Sequence, residues 1–232
     1  MGTEPVFLCD LYNTLVQERD YTRFLATLER EVGLSLDLLL PVYRKNGRLS
    51  MTGAIDGMRG RLAKTLDSLG TSISPRHLLE ISRAVENAYV DCVALYDDTL
   101  PTLKTLSRMG TVCVVSNASS YSHVVLERLG ISSYMYKIFL SCDIGVMKPD
   151  QEIYRRVLSD LGVSGKDCLF IGDGEHDELL GAKGFGMRTI LVDRRLAHTS
   201  RARSHADHVV SELAGAVKLA AAFDLARTYE SN

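Results

Sequence analysis

The sequence predicts an α/β fold, a Rossmann-like doubly wound parallel sheet with an inserted all-helical cap domain, on three observations. Short apolar runs recur along the chain, amphipathic stretches alternate with them from the second run onward, and the long stretch between the first two runs carries helical periodicity alone. The length of 232 residues suits a core with a sizeable insertion, since single domains cluster near about 150 residues.

The runs are Val6-Phe7-Leu8-Cys9, Val112-Cys113-Val114-Val115, Ile138-Phe139-Leu140, Cys168-Leu169-Phe170-Ile171 and Thr189-Ile190-Leu191-Val192. Each is short, apolar and bounded by turn residues, the pattern of a strand buried on both faces. Tyr121 to Leu129, Gln151 to Leu161 and Glu178 to Gly184 read as crossover helices, and strand and helix in alternation mean βαβ units. From Tyr21 to about Tyr96 no strand is expected. Helical periodicity covers Tyr21 to Val32, Leu36 to Lys45, Thr52 to Leu69 and Pro75 to Leu95. Ser74 before Pro75 marks a helix start: the hydroxyl accepts from a first-turn amide, and proline has no amide to leave unpaired. This divides the chain into an α/β core of residues 1–18 and 97–232 and a helical cap of residues 19–96. The alanine-rich stretch Ala214 to Ala226 reads as a closing helix, and Glu230-Ser231-Asn232 as a frayed end.

Apolar residues make up 46% and charged residues 24%, which excludes disordered and fibrous classes. With 27 Lys+Arg against 29 Asp+Glu the net charge is −2, so nothing global draws a polyanion, and no nucleic acid partner is expected. The five cysteines are odd in number and lack a CxxC pair, so they read as reduced small hydrophobes. The start MGTEPVFLCD has neither the basic residues nor the long apolar stretch of a signal peptide, and no long uncharged apolar run follows. Val6 stands where an N-myristoylation pattern requires Ser or Thr. A cytoplasmic protein without membrane attachment is expected; no feature specifies an oligomeric state.

In an open parallel sheet, ligands bind beyond the carboxyl ends of the strands. Those ends carry Asp10-Leu11-Tyr12-Asn13-Thr14, Ser116-Asn117, Lys148-Pro149 and Gly172-Asp173-Gly174-Glu175-His176-Asp177-Glu178. An acid, a hydroxyl, a lysine and a cluster of acids on one edge suit transfer of a small anionic group to a carboxylate. Asp10 is the candidate nucleophile, Ser116 and Lys148 hold the anion's oxygens, and the acids after the fourth run coordinate Mg²⁺. Two carboxylates 4 Å apart repel by about 4 kcal/mol at an effective dielectric of 20, so one lysine cannot balance the set and a divalent cation is its natural complement.

Here the sequence resembles the haloacid dehalogenase (HAD) superfamily of hydrolases. DLYNTL at 10–15 is similar to its first motif, DxDGT and an apolar residue; VVSNAS at 114–119 to its second; Lys148-Pro149 to its third; and GDGEHDELLGA at 172–182 to its fourth. The resemblance covers the core and places the helical insertion where one branch of the family carries its cap. It implies a phosphatase acting on a small phosphorylated molecule, with Asp10, Tyr12 and Lys148 as catalytic positions. Thr14, Ser116, Asn117, Lys148 and Arg44 are implied to contact substrate. The implied metal ligands are Asp10, the Tyr12 backbone carbonyl, Asp173 and Glu178, with Asp177 as a further candidate.

The departures matter as much. Family phosphatases carry a general-acid Asp where Tyr12 stands, and a phenol with a pKa near 10 is a poor proton shuttle at neutral pH. The family's 2-haloacid dehalogenases resemble this chain there, and a departing halide needs no proton. Yet those enzymes look metal-free and lack an acid at the position of Asp173, which is retained. Asp177 and Asp173 also have a plainer reading, as acids at a helix N-terminus. Asn13 replaces a glycine, and asparagine tolerates the left-handed backbone the turn requires. Ser116 has a second reading as a strand-end turn residue, Asn117 as a helix cap, Arg44 as a solvated helix end, and His176 as an exposed loop residue. Three functions follow: an Mg²⁺-dependent phosphatase, a 2-haloacid dehalogenase using the same Asp10, or a catalytically weak binding protein of this fold. The cap sets the substrate.

Overall fold

All five apolar runs pair laterally in the computed structural model, which describes residues 4–194 and 200–230. The strands in chain order are β1 Val6–Cys9, β2 Val16–Glu18, β3 Val93–Leu95, β4 Thr111–Ser116, β5 Lys137–Leu140, β6 Cys168–Gly172, β7 Arg188–Val192 and β8 His208–Val210. Six of them form one parallel sheet, ordered β5-β4-β1-β6-β7-β8. The order reverses direction at β1, with β4 on one side and β6 on the other, which is the switch point where a crevice opens at the carboxyl edge. Three of the strand ends named above therefore lie side by side.

Both faces of the sheet are covered, which is why the runs are continuously apolar rather than alternating. Phe7, Cys9, Val112, Val114, Leu169 and Ile171 point to one layer, and Val6, Leu8, Cys113, Val115, Cys168 and Phe170 to the other. The first layer continues without a break into cap residues Phe24, Leu28, Leu39, Tyr43, Leu62 and Val85.

The helices are α1 Tyr21–Val32, α2 Leu36–Lys45, α3 Gly47–Met51, α4 Gly57–Ser68, α5 Pro75–Cys92, α6 Thr99–Met109, α7 Ser122–Arg128, α8 Ser141–Ile144, α9 Gln151–Leu161, α10 Glu178–Lys183, α11 Ser200–Ser204 and α12 Gly215–Glu230. α1, α2 and α9 have the bounds their periodicity predicts. Ser74 caps α5 by accepting from the His77 amide at 3.2 Å.

Two expectations need correcting. Residues 21–96 do contain a strand: β3 pairs antiparallel with β2, tying together the two points where the chain passes between core and cap. The apolar pattern of α5 runs on through Val93-Ala94-Leu95, and periodicity alone does not separate three extended residues from one more helical turn. The helix expected from Thr52 starts at Gly57, because Gly53 (φ 68°) and Gly57 (φ 47°) take left-handed backbone that ends α3 and delays α4. β8 carries too few buried residues to show as an apolar run. Cys9, Cys92, Cys113 and Cys168 are free and buried, and Cys142 is free and half-buried. Among the described residues no helix is long and apolar enough to cross a membrane. Ser231 and Asn232, expected to fray, lie outside the described residues.

Candidate active site

Asp10 is the first residue past β1, and its amide still donates to Ile171 of β6 at 2.8 Å, so its backbone is fixed by the sheet. The chain then turns sharply: Asn13 takes φ 59° and its amide donates to the Val16 carbonyl at 2.7 Å. The asparagine thus supplies the left-handed residue that the turn demands.

The Asp10 carboxylate is buried and held on both oxygens. Oδ1 accepts from Ser116 Oγ at 3.1 Å and from Lys148 Nζ at 2.6 Å, while Oδ2 accepts from Thr14 Oγ1 at 3.3 Å. Lys148 Nζ also donates to Glu178 Oε2 at 2.5 Å. Burial alone would favour neutral Lys148, but Asp10 and Glu178 outweigh it and hold its pKa above the ordinary lysine value. Asn117 spends both ends of its amide on Lys148: Nδ2 donates to the Lys148 carbonyl at 2.9 Å and Oδ1 accepts from the Lys148 amide at 2.7 Å. Its position is that of a clamp on the lysine.

Glu178 opens α10 and turns back under β6. Oε1 accepts from the Gly174 amide at 3.0 Å, and a Cβ on Gly172 would lie 2.1 Å from that oxygen, so a side chain there would displace the carboxylate. Tyr154, which sequence reasoning missed, donates to the Glu178 carbonyl at 2.8 Å and packs where a Cβ on Gly181 would stand, 2.6 Å from its ring. Asp173 accepts from the Glu175 amide at 3.0 Å.

Asp10, Asp173 and Glu178 are all buried and present carboxylate oxygens within 4.8 Å of one another. Burial, with the Asp10 charge adding, pushes the Asp173 carboxyl up from 3.8 to about 6. Burial also pushes Glu178 from 4.5 to about 8, with Lys148 pulling it down and Asp10 and Asp173 pushing it up. Three buried carboxylates facing one ammonium are a charge set that a divalent, oxygen-preferring cation completes, so the residues fit Mg²⁺.

A pH dependence follows, with its sign. A carboxyl whose folded pKa is raised binds more protons folded than unfolded between the two values, so its contribution to stability falls as pH rises from about 4 to about 8. A divalent cation bound among these carboxylates would compete with those protons. The rise in Tm on adding Mg²⁺ is therefore expected to grow steadily from pH 5.5 to pH 8.5. Melting curves in EDTA and in saturating Mg²⁺ check it, and an increment flat across that range contradicts it.

Asp177 is not brought into the cluster. His176 (φ 55°) and Asp177 (φ 57°) both take left-handed backbone, which turns the Asp177 carboxylate outward onto Arg201 at 2.7 Å. It makes no side-chain capping bond to α10 either. His176 is exposed and lines the rim of a cavity of about 340 Å³ above Asp10. Tyr12 lines the same cavity; its hydroxyl is hydrogen-bonded to Ser122 Oγ at 2.8 Å, and burial pushes the phenol pKa above its ordinary value. Phe24, Tyr43, Tyr89 and Tyr121 complete an aromatic wall, with the Tyr89 hydroxyl donating to Glu18 at 2.9 Å. Arg44 is exposed at the cavity's edge. Ser50 of the cap donates to Ser119 of the core at 2.7 Å, and Ser141 of the core to the Met51 carbonyl of the cap at 2.6 Å. Arg61, on α4, also reaches the cavity; nothing in its local sequence separates it from the other exposed-face cations of that helix.

Known proteins share this architecture. A glyceraldehyde 3-phosphate phosphatase from Methanopyrus kandleri is 33% identical over 101 residues, covering 43% of each chain. The chain spans about half the length of the curated relatives it matches. A HAD phosphatase from Thermococcus onnurineus superposes with a TM-score of 0.67 at 21% identity, covering 94% of this chain and 97% of its own. A 2-haloacid dehalogenase from Pseudomonas syringae pv. Tomato superposes with a TM-score of 0.76 at 18% identity, covering 95% of this chain and all (100%) of its own. At these identities the two structures share the fold, and they stand for both chemistries it hosts. Residues 5–186, which hold the cap and every strand end that meets at Asp10, match the haloacid dehalogenase-like hydrolase family model, and the chain belongs to that family of hydrolases.

Proposed function

We propose that this hydrolase is an Mg²⁺-dependent phosphatase of small phosphorylated molecules, working through an aspartyl-phosphate on Asp10. The observation that carries this reading is the buried Asp10, Asp173 and Glu178 set, which a metal-free dehalogenase has no use for. Asp10, Asp173, Glu178 and the Tyr12 carbonyl would hold the cation, which when bound supplies the charge neutralisation that lets a phosphoryl anion sit beside carboxylates. Ser116 and Lys148 bind its oxygens, and Thr14 orients Asp10. An Asp10 oxygen attacks phosphorus, the ester P–O bond breaks, and its electron pair leaves with the alcohol oxygen. Water then hydrolyses the acyl phosphate, restoring the carboxylate and releasing inorganic phosphate. Because the Tyr12 hydroxyl is tied to Ser122 and is a weaker acid than a free phenol, leaving groups that depart as anions, such as aryl or acyl phosphates, are preferred.

Tyr12 favours one rival, a 2-haloacid dehalogenase in which Asp10 displaces halide. Metal dependence separates the two. Phosphate release from 4-nitrophenyl phosphate in Mg²⁺, abolished by EDTA, with no chloride released from 2-chloropropionate, is expected. Chloride release that persists in EDTA, without phosphate release from any ester, would overturn the proposal.

A further inference from the structure

Arg61 brings a positive charge into the same cavity wall, and phosphoryl transfer as proposed makes no use of it. Its guanidinium carbon lies 3.7 Å from the centre of the Tyr43 ring, and its Nε donates to the Tyr43 carbonyl at 3.0 Å. Tyr43 is itself locked, 2% exposed, with its hydroxyl donating to Met58 Sδ at 3.1 Å. On α3, a Cβ at Gly47 would stand 2.9 Å from Arg61 Nη2 and 3.3 Å from Cζ, so the berth exists only because residue 47 has no side chain. Stacking and the carbonyl bond fix the fork and leave both terminal nitrogens free to donate.

Arg194 shows the contrast. Its guanidinium carbon also lies 3.7 Å from a ring centre, that of Tyr96, but it donates to Asp98 and to the Thr14 carbonyl, each at 2.9 Å. Among the described residues no carboxylate lies within ion-pair distance of Arg61; Glu18, the acid of the aromatic wall, takes the Tyr89 hydroxyl. A rigid, half-buried guanidinium with free donors, facing the cavity that holds Asp10, is built for a planar anion.

Resting on the phosphatase reading, we propose that Arg61 is a specificity-determining residue that binds a carboxylate on the leaving-group side of the substrate. Substrates would then be phosphate esters carrying a carboxylate, and exposed Arg44 would be the lesser contributor.

The test compares phenyl phosphate with 4-carboxyphenyl phosphate, in Mg²⁺, on the wild type and on Arg61→Gln, Arg61→Lys, Gly47→Ala and Arg44→Gln. The wild type is expected to show a KM about 10- to 100-fold lower for the carboxylated ester, the worth of one bidentate charge-assisted pair. Arg61→Gln is expected to bring the ratio of the two KM values to about one, and Arg61→Lys to restore part of it. Gly47→Ala keeps the charge and suits a helix but displaces the guanidinium, so it should cut the ratio as well. An Arg61→Gln enzyme that keeps the wild-type ratio while both KM values rise would overturn the proposal, as would a ratio lost in Arg44→Gln alone. If neither ester is hydrolysed, the phosphatase reading fails. Calorimetry with phenylphosphonate and 4-carboxyphenylphosphonate then decides for Arg61: tighter binding of the carboxylated ligand by the wild type but not by Arg61→Gln upholds it, and equal binding rejects it.

Discussion

Asp10→Asn is expected to lower phosphate release by about 10⁴-fold or more while leaving the fold intact, because it removes the attacking oxyanion and little else. The amide is nearly isosteric with the carboxylate: with its oxygen in the place of Oδ1 it still accepts from Ser116 and Lys148, and its NH2 faces the Thr14 hydroxyl, which can turn to accept. Lys148 keeps Glu178 as a partner at 2.5 Å. The substitution also removes one of three mutually repelling buried acids, so Tm in EDTA should not fall. Steady-state phosphate release and a melting curve check both halves. Residual activity within tenfold of wild type would mean that Asp10 is not the nucleophile.

Tyr12→Asp is expected to act in the opposite direction. Opening the Ser122 contact and placing a carboxyl two residues after the nucleophile restores a group able to protonate a departing alkoxide, an effect of about 10²- to 10⁴-fold in general acid catalysis. The gain should appear with alkyl phosphates, whose alkoxides leave poorly, and be small with 4-nitrophenyl phosphate, whose phenolate needs no proton. Comparing kcat for the two esters in wild type and variant isolates the effect. Equal turnover of alkyl and aryl esters by the wild type, with no gain in the variant, would remove Tyr12 as the determinant of leaving-group preference.

β1, β4, β5, β6, β7 and the four strand-end segments were readable because each is a local pattern: an uninterrupted apolar run, then residues of opposite chemistry. The sheet order, with β1 between β4 and β6, brings three of those segments together. What stayed hidden depends on chain direction at single residues or on contacts between helices. Asp177 and Glu178 are neighbours in sequence, and the left-handed backbone at His176 and Asp177 sends one outward to Arg201 and the other inward to Lys148. Asn117 was ambiguous because its two partners belong to a residue 31 positions away. Arg61 meets Tyr43 from 18 residues downstream, across two helices, and depends on a missing side chain at Gly47. No periodicity records such a berth. β3 was lost for a simpler reason, because its three residues prolong the apolar pattern of α5.

The central claim is that Asp10, beside a cation-binding pair of acids, takes up a phosphoryl group. Fluoroberyllate, a tetrahedral phosphoryl mimic that bonds to carboxylate oxygens, tests it without any knowledge of the substrate. Melting curves of the wild type and of Asp10→Asn are recorded with Mg²⁺ alone, with fluoroberyllate alone and with both. The expected result is a marked further rise in Tm for the wild type, beyond that with Mg²⁺ alone, only when both are present, and no such further rise for Asp10→Asn. No rise in the wild type, or the same rise in Asp10→Asn, would contradict covalent phosphoryl transfer at Asp10 and favour a protein of this fold that only binds its ligand.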